Sequence, residues 1–90
     1  MNLTKIEVKE PTDEEKRKAK KWGIWEKEPS TFDWYYDTPE TCYILEGEVV
    51  VKTEDGEEVK IKAGDFVRFP QGLKCVWAVK KKIRKHFTFE

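Results

Sequence analysis

From Ile24 onward, apolar and polar positions alternate in short runs separated by turn residues. Phe32, Trp34 and Tyr36 share one face by the two-residue period of a strand. Thr41 to Leu45 is a β-prone run, and Glu46-Gly47-Glu48 reads as a turn. Val49–Thr53 faces Glu57–Lys62 across Glu54-Asp55-Gly56, a hairpin signal. Ala63-Gly64-Asp65 turns the chain again before Phe66–Phe69, which ends at Pro70-Gln71-Gly72. Leu73–Val79 and Ile83–Phe89 follow, with a corner expected at Lys80-Lys81-Lys82. About eight short strands with this punctuation predict a small all-β sandwich or barrel. The N-terminal part differs. Leu3–Lys9 alternates weakly as a first strand, and Thr12-Asp-Glu-Glu15 is a capping box. It predicts a helix over about residues 13–21, stopped by Gly23. Ala19 and Trp22 are nearly its whole apolar content, so it should lie outside the barrel.

Ninety residues suffice for one domain with one small core. Residues 1–21 form its outer part and 22–90 its barrel. Charged residues make up 40% of the chain and sum to zero, which excludes an electrostatic nucleic-acid binder. Hydrophobic content is only 38%, but four Trp bring large buried areas per residue. The Lys/Glu-rich surface is that of a thermostable protein or of an engineered surface. Cys42 and Cys75 form no disulfide framework or metal knuckle, and no apolar run has the length of a membrane span. A cytoplasmic, reduced protein is expected, with no membrane partner.

Two spaced motifs carry more. Glu40-x6-Gly47 and Gly64-Asp-x4-Pro70-x-Gly72 resemble the two signature motifs of the cupin family. The stretches WEKEPSTFDWYYDTPETCYILEGEV, AGDFVRFPQGLKCVW and KHFTF resemble the small single-domain cupins grouped with the ureidoglycine aminohydrolase cupin domain. The likeness spans about residues 22–90 and implies a cupin jelly roll, a double-stranded β-helix barrel with one open mouth. Metal-dependent cupins place two His before the Glu and a third after the second-motif Gly. Here the first two positions fall on Trp34 and Tyr36 (Asp33 and Tyr35 if the spacing shifts by one), and the third on Cys75. Only Glu40 remains. Three imidazoles and a carboxylate cannot be assembled, so neither metal nor cofactor is expected. The alternative is a weak metal site using Glu40 and Cys75 with a Tyr or Asp oxygen.

The strand period groups Glu40 with Cys42 and Ile44, and Cys75 with Trp77 and Val79. The expected mouth holds Glu40, Cys42, Cys75, Trp34, Tyr36 and Trp77. In a ring-lined pocket, desolvation would disfavour the charged form of Glu40, the property expected of a general acid or base, whereas the other reading is an ordinary exposed carboxylate beside the turn at Pro39. Tyr36 and Cys75 are its expected assistants. Cys75 would be a nucleophile only beside an activating base and is otherwise a small buried hydrophobe. Cys42 reads the same way, or as a redox partner of Cys75. Trp25, Trp34, Tyr36 and Trp77 can stack a planar or cationic ligand, or simply fill the barrel. His86 is the single His. Alternation places it with Arg84 and Thr88, opposite the apolar set Ile83, Lys85, Phe87 and Phe89, hence outside or at a dimer contact. The resemblance of the KHFTF ending leaves it open to a site role. The basic run from Lys80 to Lys85 reads as a solvated corner.

These readings predict a small metal-independent cupin that binds a small polar molecule in its mouth. In the catalytic version Glu40 drives proton transfer or C–N hydrolysis. In the alternative version the domain is a binding or accessory module without turnover. A homodimer is the expected state.

Overall fold

The computed structural model describes residues 5–89. In chain order its elements are β1 (Glu7–Lys9), α1 (Asp13–Ala19), β2 (Gly23–Lys27), β3 (Ser30–Tyr35), β4 (Glu40–Thr53), β5 (Glu58–Lys62), β6 (Phe66–Phe69) and β7 (Lys74–Phe89). The first-strand expectation began at Leu3, and its residues 3 and 4 lie outside the described residues. The capping box forms as expected: Thr12 Oγ1 accepts from the Glu15 amide at 3.1 Å, and Glu15 Oε1 accepts from the Thr12 amide at 2.9 Å. The helix ends two residues earlier than predicted and buries only Ala19. Beyond it, Trp22 packs on Phe66 with ring centroids 6.0 Å apart.

Every strand pairing is antiparallel. β4 and β7 run side by side for most of their length and carry the rest. The first half of β7 takes β3 on its outer side and the second half takes β2. β6 pairs with the first half of β4, β5 with the second, and β1 adds to the free edge of β6. Folding of this long pair upon itself yields an antiparallel sandwich with one short helix among the described residues, the jelly-roll architecture expected from the sequence.

Two expected reversals are not turns. Both Glu46-Gly47-Glu48 and Lys80-Lys81-Lys82 lie inside long strands, so seven strands stand among the described residues where about eight shorter ones were expected. The register between β4 and β7 shifts at Ile44/Glu46, Glu46/Glu48 and Glu48/Val49. These bulges bend both strands together. They also change the phase of β4: Glu40, Cys42 and Ile44 point inward before the bend, and Val49, Val51 and Thr53 after it. Backbone groups released by the bend are taken up by the β5–β6 loop. Ile44 N–H donates to Asp65 O (2.9 Å), Gly64 N–H to Ile44 O (2.9 Å) and Ala63 N–H to Gly47 O (3.2 Å).

The core between the layers gathers Ile6, Ile44, Val49, Val51, Ile61, Val67, Leu73, Val79 and Ile83. At one end it becomes aromatic. Tyr36 stacks on Phe69 at 4.6 Å and 5°, and Phe69 lies 5.7 Å from Trp77.

Gly47 is the tightest point of the bend. Its φ is +97°, and a Cβ there would come within 2.2 Å of the Lys82 carbonyl oxygen. Gly56, in the β4–β5 turn, has φ +88° but open space around a Cβ. Gly56→Ala should therefore lower unfolding free energy by about 1–2 kcal/mol, the backbone penalty alone. Gly47→Ala should cost clearly more or prevent folding. Urea titrations of the two variants check this, and equal losses would contradict the close approach.

Candidate ligand-binding site

The aromatic end of the core opens into a cavity of about 180 Å³. β2 contributes Trp25 to its wall, β3 and its following residue contribute Phe32, Trp34 and Tyr36, and β7 contributes Trp77, Phe87 and Phe89. Two charged residues complete the lining: Glu40 from the start of β4 and Lys85 from β7. Both are buried, 3% and 5% exposed.

Lys85 stands opposite Ile44 in the β4–β7 register and opposite Trp25 in the β2–β7 register. Its stem runs back along the inner face of β4, past Cys42, to Glu40. Nζ donates to Glu40 Oε2 at 2.7 Å and to Cys42 Sγ at 3.4 Å. The Cys42 thiol also donates to Oε2, at 2.9 Å. Carboxylate, ammonium and thiol thus close a triangle. Rings surround the ammonium: Nζ lies 4.8 Å from the Trp77 centroid, 4.9 Å from Trp25 and 5.9 Å from Phe69. Such faces attract a cation by their quadrupoles. The rings brace one another, with Trp25 edge-on to Trp77 at 5.8 Å and Phe32 stacked on Trp77 at 6.1 Å.

Burial, reinforced by the charge on Glu40, pushes the Tyr36 hydroxyl far above its usual range, so it stays protonated. Burial also pushes the Cys42 thiol up; Lys85 opposes this and Glu40 adds to it. Tyr36 Oη and Trp77 Nε1 are buried without a hydrogen-bond partner among the described residues. They lie close enough to influence each other, but not in hydrogen-bonding geometry.

The predicted residues separate into three groups. Glu40, Tyr36, Trp34, Trp25 and Trp77 come together at the cavity, with Trp34 half-exposed on the rim. Cys42 lies under its floor, fully buried, bonded to Glu40. Cys75 and His86 lie elsewhere. Cys75 keeps the inward phase of Trp77 but sits opposite Thr53, at the far end of β4 from Cys42, and lines a separate open groove. Its weak contact is to the Trp34 carbonyl at 3.7 Å, and burial pushes its thiol up to about 11. The two thiols do not face each other, and both are free. His86 pairs with Ile24 and Tyr43 on the face away from the cavity, its Nδ1 buried without a partner among the described residues.

Sequence reasoning missed Lys85, together with Phe32, Phe87 and Phe89. The signal for Lys85 was present: alternation put it on the apolar face of the last strand. A buried ammonium demands a buried acid, and Glu40 was the inward-facing one.

The metal of the family that the sequence resembles does not suit this donor set. Glu40 is the one carboxylate lining the cavity, and an ammonium already sits 2.7 Å from it. The adjacent thiol is held protonated, and the described residues contain no group of three or more His, Cys, Asp or Glu placed to hold an ion.

The sequence pattern of the EutQ-like cupin domain matches residues 14–87. The chain belongs to that cupin family. Among solved structures, this cupin is similar to a DUF861-family protein from Thermotoga maritima, at 52% identity and TM-score 0.92, covering 96% of this chain and all of that one. It is also similar to the EutQ protein of Clostridium difficile (25% identity, TM-score 0.68) and to a putative ethanolamine utilization protein Q from Salmonella typhimurium (28%, 0.68). Each of these covers 74% of this chain, which spans 52% and 54% of their lengths. No curated protein matches.

Two outcomes follow for this cupin. Lys85→Met or Glu40→Gln alone strands one buried polar group, and Lys85→Met should cost about 3–5 kcal/mol. The double variant should recover most of that loss, as a denaturation double-mutant cycle would register; additive losses would mean the pair is not coupled. For Cys75, a raised thiol value means stability is full below the ordinary 9.0 and lost as pH rises through about 11. Cys75→Ala should flatten the fall in denaturation midpoint over that window and leave neutral pH unchanged.

Proposed function

We propose that this cupin binds a small, largely apolar or planar molecule bearing one polar group, received by Glu40 and Lys85 inside the ring-lined cavity. The observation that carries this reading is the buried ion pair opening into an apolar cavity. Charges are rarely buried facing free space, and concave apolar sites with a few convergent polar groups are the usual form of small-molecule sites. The unpartnered Tyr36 hydroxyl and Trp77 indole beside it add polar groups that a bound molecule or a small side-chain shift would satisfy.

Turnover is an extension of the same reading. Glu40 is the acid/base, and the reaction class is proton transfer or C–N bond hydrolysis by likeness to the aminohydrolase cupins. Tyr36, protonated, serves as a hydrogen-bond donor. The version without turnover is favoured by a specific observation: Cys75 stands away from Glu40, and no activated nucleophilic thiol faces the cavity.

Indole N–H signals in a nitrogen–proton correlation spectrum test the binding. Benzyl alcohol, small enough for a cavity of this class, should shift Trp25 and Trp77 saturably and leave Trp22 as an internal control. The Lys85→Met/Glu40→Gln double variant should weaken that binding about tenfold. Absence of shifts, or equal drift of all four indoles, would sink the reading.

A further inference from the structure

Within this site, Lys85 has a role that pairing alone does not explain. Lysines on a protein surface keep a hydrated ammonium in bulk water. Lys85 instead lines the cavity and holds its nitrogen among indole and phenyl rings, with a carboxylate oxygen of the lining residue Glu40 2.7 Å away. A confined amine with an adjacent proton carrier is the arrangement carbonyl compounds react with.

We propose that Lys85 is a covalent ligand-capturing residue, forming an imine with small aldehydes, aromatic or short-chain, that enter the cavity. This rests on the small-molecule reading above and names its ligand class. The step balances without any oxidant or reductant. Glu40 Oε2 takes one proton from the Lys85 ammonium. The freed amine attacks the carbonyl carbon, a C–N bond forms, and the π electron pair moves to oxygen. A proton passes from nitrogen to that oxygen, giving a carbinolamine. Glu40 returns its proton to the hydroxyl, the C–O bond breaks, water leaves, and the nitrogen keeps one proton as an iminium ion.

The surroundings suit both ends of this sequence. The starting ammonium and the product iminium carry the same single positive charge at the same nitrogen. The faces of Trp25 and Trp77 and the Glu40 carboxylate therefore stabilise both, so capture requires no new counter-charge. A permanent structural pair needs the same charges but no cavity lined by both partners. The fully buried Cys42 thiol, 3.4 Å from Nζ, gives the ammonium a further acceptor at rest.

Borohydride trapping tests it on the intact chain. With limiting benzaldehyde, reduction should add one benzyl group per chain, and peptide mapping should place it on Lys85 ahead of the exposed lysines. Lys85→Arg keeps the charge but cannot form the imine, so a variant whose tryptophan spectra show it folded should lose that label. Lys85→Met provides the second check, with tryptophan spectra reporting folding. Glu40→Gln should slow labelling at Lys85 about 100-fold. A label spread over exposed lysines and unchanged in Lys85→Arg would overturn the proposal. Labelling as fast in Glu40→Gln would overturn the proton role assigned to Glu40. Benzyl alcohol separates the two readings: if it shifts the cavity indoles while no label reaches Lys85, covalent capture falls and binding stands. If neither compound reaches the cavity, both fall.

Discussion

The contact between Lys85 and Glu40 constrains more of this small protein than any other. Removing two full charges from water costs several kcal/mol per ion, and mutual attraction offsets that only where geometry is good and remaining donors are satisfied. Here the ammonium meets a carboxylate oxygen at 2.7 Å, a thiol sulfur at 3.4 Å and three ring faces. The pairing holds only if both residues point inward at once. A slip of one residue between β4 and β7 would turn one charge to solvent and strand the other. The pair thereby fixes the register of the two strands on which the sandwich hangs.

The bend at Gly47 makes such a pair compatible with a core. Within β4 the inward positions are even-numbered at the acid end and odd-numbered at the apolar end. A regular strand could not present Glu40 and Val51 to the same side. The bulge supplies the change of phase, and the β5–β6 loop hydrogen-bonds the peptide groups the bulge releases. The same strand can then serve the cavity with its ion pair and the dry core. A side chain at position 47 would meet the Lys82 carbonyl, so the glycine is required by the other strand's path as well as by its own φ.

The periodicity of Phe32, Trp34 and Tyr36, the capping box at Thr12 and the motif spacing around Glu40 and Gly64 made much of this legible in the sequence. Each is a local rule acting over a few residues. What escaped was set by relations between distant segments. Lys85 was placed on the apolar face yet passed over, because it sits in a basic run that reads as solvated. Only the β4–β7 register shows that its stem reaches Glu40. Cys75 shows the complementary gap: period two predicts its face correctly but not its position along the strand, and it lies at the opposite end of β4 from the acid. Gly47 was taken for a reversal because turn residues signal a bend, and a bend within a strand has the same composition as one between strands.

The charge balance of the site also bears on the ligand class proposed for it. A paired carboxylate and ammonium have no net charge, and the rings around them are apolar, so the cavity offers little reward for a ligand's own charge. An anion or cation entering would lose its hydration and then compete with a partner already in place. A neutral molecule with one strong dipole loses less water and can align with the ammonium and carboxylate together. Trp34 and Phe89, 43% and 56% exposed at the rim, present apolar surface at the entrance and favour the same class of visitor. On the proposed binding reading, discrimination therefore falls on shape and dipole, and the charges act as fixed local groups rather than as a long-range field.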